Sequence, residues 1–315
     1  MTDQGGLIQA VGMNGVQRFQ MRFDDFDALH ASIRDWDLDL VQLQCGVFQA
    51  HLTQVVAGEM LVSRARFCSK VEQLGSAPVG YRTFAFLLNP ESRIQWRNHE
   101  VGGNDIMLFP VGGELHSISE SDFHVITFSV PKDTLESHCE AVGCSPKILE
   151  REVFRSDPVS MARLRQHFGL FLNLDEVPCV GAVTSDLVEL LVRVCYRSRL
   201  SESDRVRSNR VMAVDKVREC IAMSKNHLNL QEMTAVSGVS ARTLEYAFRE
   251  QYQMGPKAYF KRFRLHQVRR ELCAMRGERR NISEVASEWG FNHMGQFAAD
   301  YRKLFLELPS QTVRM

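Results

Sequence analysis

Arg242 and Glu245 stand three residues apart, with Tyr246 and Arg249 following. On a helix that spacing puts a guanidinium fork, a carboxylate and a second cation on one side. Arg can donate twice to guanine, and Glu can accept from cytosine N4. Ala241 and Tyr246 belong to the same outward set, while Arg249 suits a phosphate, a contact that positions without specifying. A second set, Met294, Gly295, Gln296, Ala298 and Ala299 with Arg302 and Lys303 beyond, has different chemistry. Gln296 is its one good base reader, matched to adenine, and the small residues permit close approach but carry little hydrogen-bond information. The two sets predict one reader that discriminates and a second that mainly adds affinity.

Other chemistry is sparse. None of the ten histidines forms a His-x-His pair, and Glu114-Leu115-His116 with His124 is the nearest approach to a cupin metal site. The eight cysteines are scattered without a Cys-x-x-Cys, the usage of a reducing cytoplasm rather than of a disulfide or zinc framework. Neither a Gly-x-Ser-x-Gly elbow nor a phosphate-cradling glycine loop occurs. We therefore expect no catalytic residue, no metal and no cofactor. Phe84, Phe86, Trp96, Phe109, Phe123 and Phe128 could wall a small-molecule effector pocket, with Arg93, Arg97, Glu114 and His116 orienting the ligand.

The base-reading candidates sit in a repeat. Leu230, Met233, Thr234, Gly238, Val239, Leu244, Phe248 and Pro256 are echoed by Ile282, Val285, Ala286, Gly290, Phe291, Phe297, Tyr301 and Pro309. The offset is 52 residues up to the Gly-hydrophobe pair and 53 after it, so one residue is inserted between Phe291 and Phe297. An apolar helix, a glycine turn and a second apolar helix in each copy read as tandem helix-turn-helix units, about 230–252 and 282–305. Ser240 is the expected N-cap of the first reader, and His293 is expected to cap or to touch phosphate. Between the units a helix over about 256–276 should bury Tyr259, Phe263, Val268 and Leu272, leaving Lys261, Arg262, Arg264, Arg269 and Arg270 for its other faces. A rigid helix of this kind would fix the spacing of two heads on successive major grooves, about 34 Å apart.

Charge follows the same division. From Arg205 onward there are 20 basic and 11 acidic residues, a balance of +9, against −9 for residues 1–204. Such asymmetry points to one half that meets a polyanion. Residues 38–130 read as short strands punctuated by Gly and Pro, and residues 131–200 as helices, with Asp157-Pro158 starting one of them. The tract 198–210 reads as a linker. The expected class is α+β: a 1–200 domain with a cupin-like β-barrel or sandwich plus helices, and an all-α 211–315 domain with two helix-turn-helix units joined by a long helix. The N-terminus has no signal-peptide pattern, and no apolar run approaches a membrane span.

The repeat over residues 210–312 resembles the AraC/XylS family of bacterial transcription regulators, through its Gly-hydrophobe turns, the aromatics at 248 and 301, and the prolines at 256 and 309. The run WGFNHMGQFAADYRKLFLELPS further resembles the ethanolamine-operon regulator branch. Four positions depart from the family pattern: Gln253 and Leu306 stand where Gly is usual, Thr234 where Ala is, and His293 where Ser or Asp is. Without Gly, the C-terminal turns of the reader helices are expected to differ locally. The resemblance implies a cytoplasmic, effector-responsive regulator, an activator, working as a homodimer on double-stranded promoter DNA with RNA polymerase and without a membrane. The alternatives are a cupin-type enzyme with a DNA-localising tail, and a ligand-independent dimeric regulator.

Overall fold

A computed structural model describes residues 7–13, 16–25, 28–29, 36–97, 99–111, 115–174, 179–198, 209–224, 228–275 and 281–313. The chain divides into two units, Met1–Leu40 with Phe48–Asp204, and Val41–Val47 with Arg205–Met315. Most of the linker tract and Glu114 fall outside the described residues.

The first unit is built on antiparallel strands: Leu7–Met13 (β1), Val16–Phe23 (β2), Asp37–Gln42 (β3), Ala50–Ala57 (β4), Met60–Phe67 (β5), Val71–Ser76 (β6), Tyr81–Leu87 (β7), Arg93–Trp96 (β8), His99–Gly102 (β9), Asp105–Leu108 (β10), Leu115–Ser119 (β11), Phe123–Pro131 (β12) and Val153–Arg155 (β13). One sheet runs β1-β2-β4-β5-β12-β7-β10-β13, the other β3-β6-β11-β8-β9. Two of these strands precede the expected 38–130 stretch, and β2 pairs along its whole length with β4. Their signal was present, since Phe19, Met21 and Phe23 alternate with Gln20 and Arg22. The β4–β5 hairpin closes on a two-residue turn in which Gly58 takes φ +58°, the left-handed conformation that such turns require.

Alternation gives the larger sheet two apolar faces. Phe84, Phe86, Ile106, Ile126, Phe128 and Val130 share one buried cluster with residues of three helices, Lys132–Ala141 (α1), Pro158–Asn173 (α2) and Val180–Arg197 (α3). Phe168 of α2 meets the rings of Phe86 and Phe128 edge-on, with centroids at 5.4 and 5.1 Å. Asp157 caps α2 by accepting from the Ser160 amide at 2.9 Å, with Pro158 in the first turn as the sequence predicted. The opposite phase of the strands faces the second sheet.

The second unit is helical: Asn209–Met223 (α4), Leu230–Ser237 (α5), Ala241–Tyr252 (α6), Pro256–Ala274 (α7), Ile282–Glu288 (α8), Met294–Phe305 (α9) and Pro309–Thr312 (α10). Each copy of the repeat opens on a capping box, Asn229 with Glu232 and Asn281 with Glu284, a feature the periodic reading passed over. Gly238 and Gly290 turn the chain at φ +69° and +76°. The two reader helices also end alike, at Gln253 and Leu306, both at φ +59°. The expectation of altered C-terminal turns is therefore wrong: two non-glycine residues take the left-handed conformation, their amides donating to the Arg249 and Arg302 carbonyls, at a cost on the order of 1 kcal/mol each. Thr234 binds back to the Leu230 carbonyl at 2.6 Å without breaking α5.

The long helix α7 buries more than the expected stripe. Phe260, Leu265, His266 and Arg269 are buried along with Tyr259, Phe263, Val268 and Leu272. His266 Nε2 lies 3.1 Å from the backbone N of Gln42 and 3.2 Å from its O, within the segment Val41–Val47 that belongs to this unit. Among the described residues no helix is long and apolar enough to cross a membrane.

Candidate nucleic-acid interface and ligand cavity

Helix α6 turns Leu244, Ala247, Phe248 and Tyr252 inward, and the stacked rings of Phe248 and Tyr252 both meet the tilted ring of Tyr259 at the start of α7. That leaves Ala241, Arg242, Tyr246 and Arg249 exposed and Glu245 half-buried. Ser240 accepts from the Thr243 amide at 3.2 Å, so the cap predicted from sequence is made. Arg242 has no hydrogen bond or ion pair among the described residues, which leaves its donors available to a base edge. Glu245 is less available, because Arg249 Nε donates to its carboxylate at 3.1 Å and Gly255 lies against it. Arg210, at the start of α4, lays its guanidinium over the Tyr246 ring at 4.8 Å. This cation beside the reader stands in a tract that the sequence presents only as linker.

Helix α9 buries Phe297, Tyr301 and Leu304 and exposes Gly295, Gln296, Ala299, Arg302 and Lys303, with Met294 and Ala298 half-buried. The inserted residue lengthens the turn before it: Phe291 and Asn292 lie between Gly290 and His293, against Val239 alone between Gly238 and Ser240. His293 occupies the N-cap but makes no side-chain cap bond, which corrects the capping expectation for that residue.

Three of the basic residues of α7 are tied to other elements. Lys261 binds both oxygens of Asp300 on α9 at 3.1 Å. The Arg264 guanidinium lies between the rings of Phe260 and Phe291 and donates to the carbonyls of Trp289 and Gly290. Burial pulls its pKa below the usual arginine value. Arg269 pairs with Glu307 at 3.0 Å, and Glu307 accepts from Thr312, whose hydroxyl meets Tyr301 at 2.7 Å. These three cations tie the long helix to the second reader, so they position it and are not free for phosphates.

In the first unit a mostly apolar cavity opens between the two sheets. On the larger sheet the register sorts its wall into transverse rows. Ala50, Phe67 and Phe123 form one row, Leu52, Ala65 and Val125 the next, and Gln54, Ser63 and Thr127 the third. On the smaller sheet Trp96, Ser117 and Gln73 are cross-strand neighbours in a single row. Trp36 and Trp96 each meet Phe109 edge-on, at 5.2 and 4.6 Å.

Of the sequence candidates, Trp96, Phe109 and Phe123 line this cavity. Phe84, Phe86 and Phe128 do not, because they have the opposite strand phase and face the helices. His116 also points away from it, its Nε2 2.9 Å from the fully buried carboxylate of Glu72. Arg93 is exposed at the sheet margin beside Glu100, and Arg97 pairs with Glu152 at 3.4 Å. Sequence alternation identifies which residues share a face but not which face is which. The missed wall residues Gln54, Ser63, Gln73 and Ser117 are polar, and no apolar pattern marks them.

Residues 233–315 match a family described as a helix-turn-helix domain. A XylDLEGF operon transcriptional activator of Pseudomonas putida is 28% identical over 156 residues, 49% of this chain and 43% of that protein. XylDLEGF operon transcriptional activator 2, also of Pseudomonas putida, is 34% identical over 91 residues, 29% of this chain and 58% of its own length. A solved structure of a probable AraC family transcriptional regulator from Rhodopseudomonas palustris is 32% identical, covering 32% of this chain and 94% of that one, with a TM-score of 0.31. The chain spans about two fifths of the length of the first curated relatives it matches.

Proposed function

Because the chain belongs to the AraC/XylS family of transcription regulators, we propose that it is an activator that places α6 and α9 in adjacent major grooves of promoter DNA and answers a small molecule held by its N-terminal unit. The observation that carries the reading is the duplicated helix-turn-helix, each copy presenting exposed donors that have no partner among the described residues: Arg242 in the first, Gln296, Arg302 and Lys303 in the second. In such units the second helix enters the groove N-terminus first. Contacts of α6 are Ala241, Arg242, Glu245, Tyr246 and Arg249, and those of α9 are Met294, Gly295, Gln296, Ala298, Ala299, Arg302 and Lys303. The cavity between the sheets supports effector control. The engagement of His116 by Glu72 speaks against the enzyme reading, since it removes the histidine nearest to a cupin ligand set from the cavity side. A cytoplasmic homodimer acting beside RNA polymerase completes the reading, on family membership alone.

Selection of bound fragments from sheared genomic DNA, followed by footprinting, tests it. The expected result is a short consensus with two protected major grooves on one face of the duplex, one helical turn apart. Retention of all fragments alike, with no consensus, would overturn it.

A further inference from the structure

The cavity between the sheets has a chemical polarity that narrows what it can hold, and this inference rests on the effector reading above. Two of the three rows on the larger sheet are apolar, with the rings of Phe67 and Phe123 at one end. The third row is polar but uncharged. Gln54 Nε2 donates to Ser63 Oγ at 3.3 Å, which leaves the Gln54 carbonyl as an acceptor. The smaller sheet supplies the reciprocal group. Ser117 Oγ donates to Gln73 Oε1 at 3.1 Å, leaving the Gln73 amide hydrogens as donors. Beside Ser117, Trp96 is 2% exposed, and its indole N–H has no partner among the described residues. A buried donor without an acceptor is costly, so a ligand that supplies one is favoured by the difference. Among the described residues no Lys, Arg, Asp or Glu lines the wall, and its one titratable side chain is the exposed His51 at the Phe67 and Phe123 end, across β4–β5 from Arg66. An ionised carboxylate or ammonium placed at the polar row, three residues along β4 from His51, would lose its hydration without gaining a counter-charge.

We propose that the effector is an uncharged amphiphile: an apolar, ring-bearing body against the Phe67 and Phe123 end, and a head that both donates and accepts, such as a carboxamide or a phenol, between Gln54, Gln73 and Trp96. The head reads by hydrogen bonds and the body by contact with apolar surface. A free acid of the same shape is excluded by its charge.

Three probes of one shape separate these terms: naphthalene, 2-naphthamide and 2-naphthoate, measured by equilibrium dialysis against the full-length protein at pH 7.5. The amide should bind at least tenfold tighter than the carboxylate and tighter than naphthalene. Trp96→Phe keeps an aromatic ring but removes the N–H, and Gln73→Leu removes the amide at similar volume. Each should weaken 2-naphthamide at least fivefold while leaving naphthalene unchanged. Two results overturn the proposal: 2-naphthoate binding as tightly as the amide, or variants that weaken amide and naphthalene alike. If naphthalene binds without preference for the amide, only the head-group inference falls. If none of the three binds, the effector reading of the cavity falls with it.

Discussion

Arg242 and Glu245 began as a pair of base readers, and the structure separates them. Arg242 is exposed and has no partner among the described residues, whereas Glu245 is held by Arg249 against Gly255. Specificity in the first groove should therefore rest on Arg242. Replacing it with Ala should cost about 1–3 kcal/mol at one base position and relax the choice there, while Lys303→Ala should weaken all sequences alike and lower the salt slope by about one. Fluorescence anisotropy against a set of single-base variants distinguishes the two patterns. His293 marks another residue-scale consequence. It fills an N-cap that makes no side-chain bond, so His293→Ser should supply one and stabilise the helical unit by about 0.5–1 kcal/mol, read as a rise in urea midpoint at unchanged slope.

At the scale of elements, each reader owes its aim to a neighbour. The first is set by the contact of Phe248, Tyr252 and Tyr259 where α6 meets α7. The second is set by polar ties from α7, with Arg264 closing the end of α8 and Lys261 holding α9 through Asp300. Arg264→Met keeps an apolar body between Phe260 and Phe291 but leaves two carbonyls without that donor. It should destabilise the unit by about 1–3 kcal/mol and weaken DNA binding with no change in salt slope, because no phosphate contact is lost. An unchanged denaturation midpoint would show that Arg264 does not serve as that closure. Leu306 is a strained element end with little packing to lose, being 57% exposed. Leu306→Gly should raise the thermal midpoint, the relief amounting to on the order of 1 kcal/mol.

Across the whole molecule, how far the sequence was legible depended on the periodicity involved. The tandem helices announce themselves because apolar spacing, glycine turns and prolines recur at one offset, and the structure puts α5, α6, α8 and α9 on those segments. The strands of the first unit were legible where alternation was strong, and even the overlooked β2 carries it. What alternation cannot tell is which face becomes cavity, and for that reason Phe84 and Phe86 were read as wall when they are helix-facing core. Ion pairs across elements, such as Lys261 with Asp300 and Arg269 with Glu307, leave no local trace at all, so the sequence places these cations on the other faces of the helix without giving their partners. The charge division, +9 from Arg205 onward and −9 before it, remains the clearest whole-chain mark of which half meets DNA.

On the proposed function the two readers are unequal, the first choosing the site and the second holding it. Affinities of the full-length protein for its selected site, with every base pair in both grooves substituted singly at fixed salt, test this directly. Substitutions under α6 should cost about 1–3 kcal/mol at one or more positions, and those under α9 clearly less, apart from one adenine read by Gln296. Equal penalties in both grooves, or larger ones under α9, would contradict it.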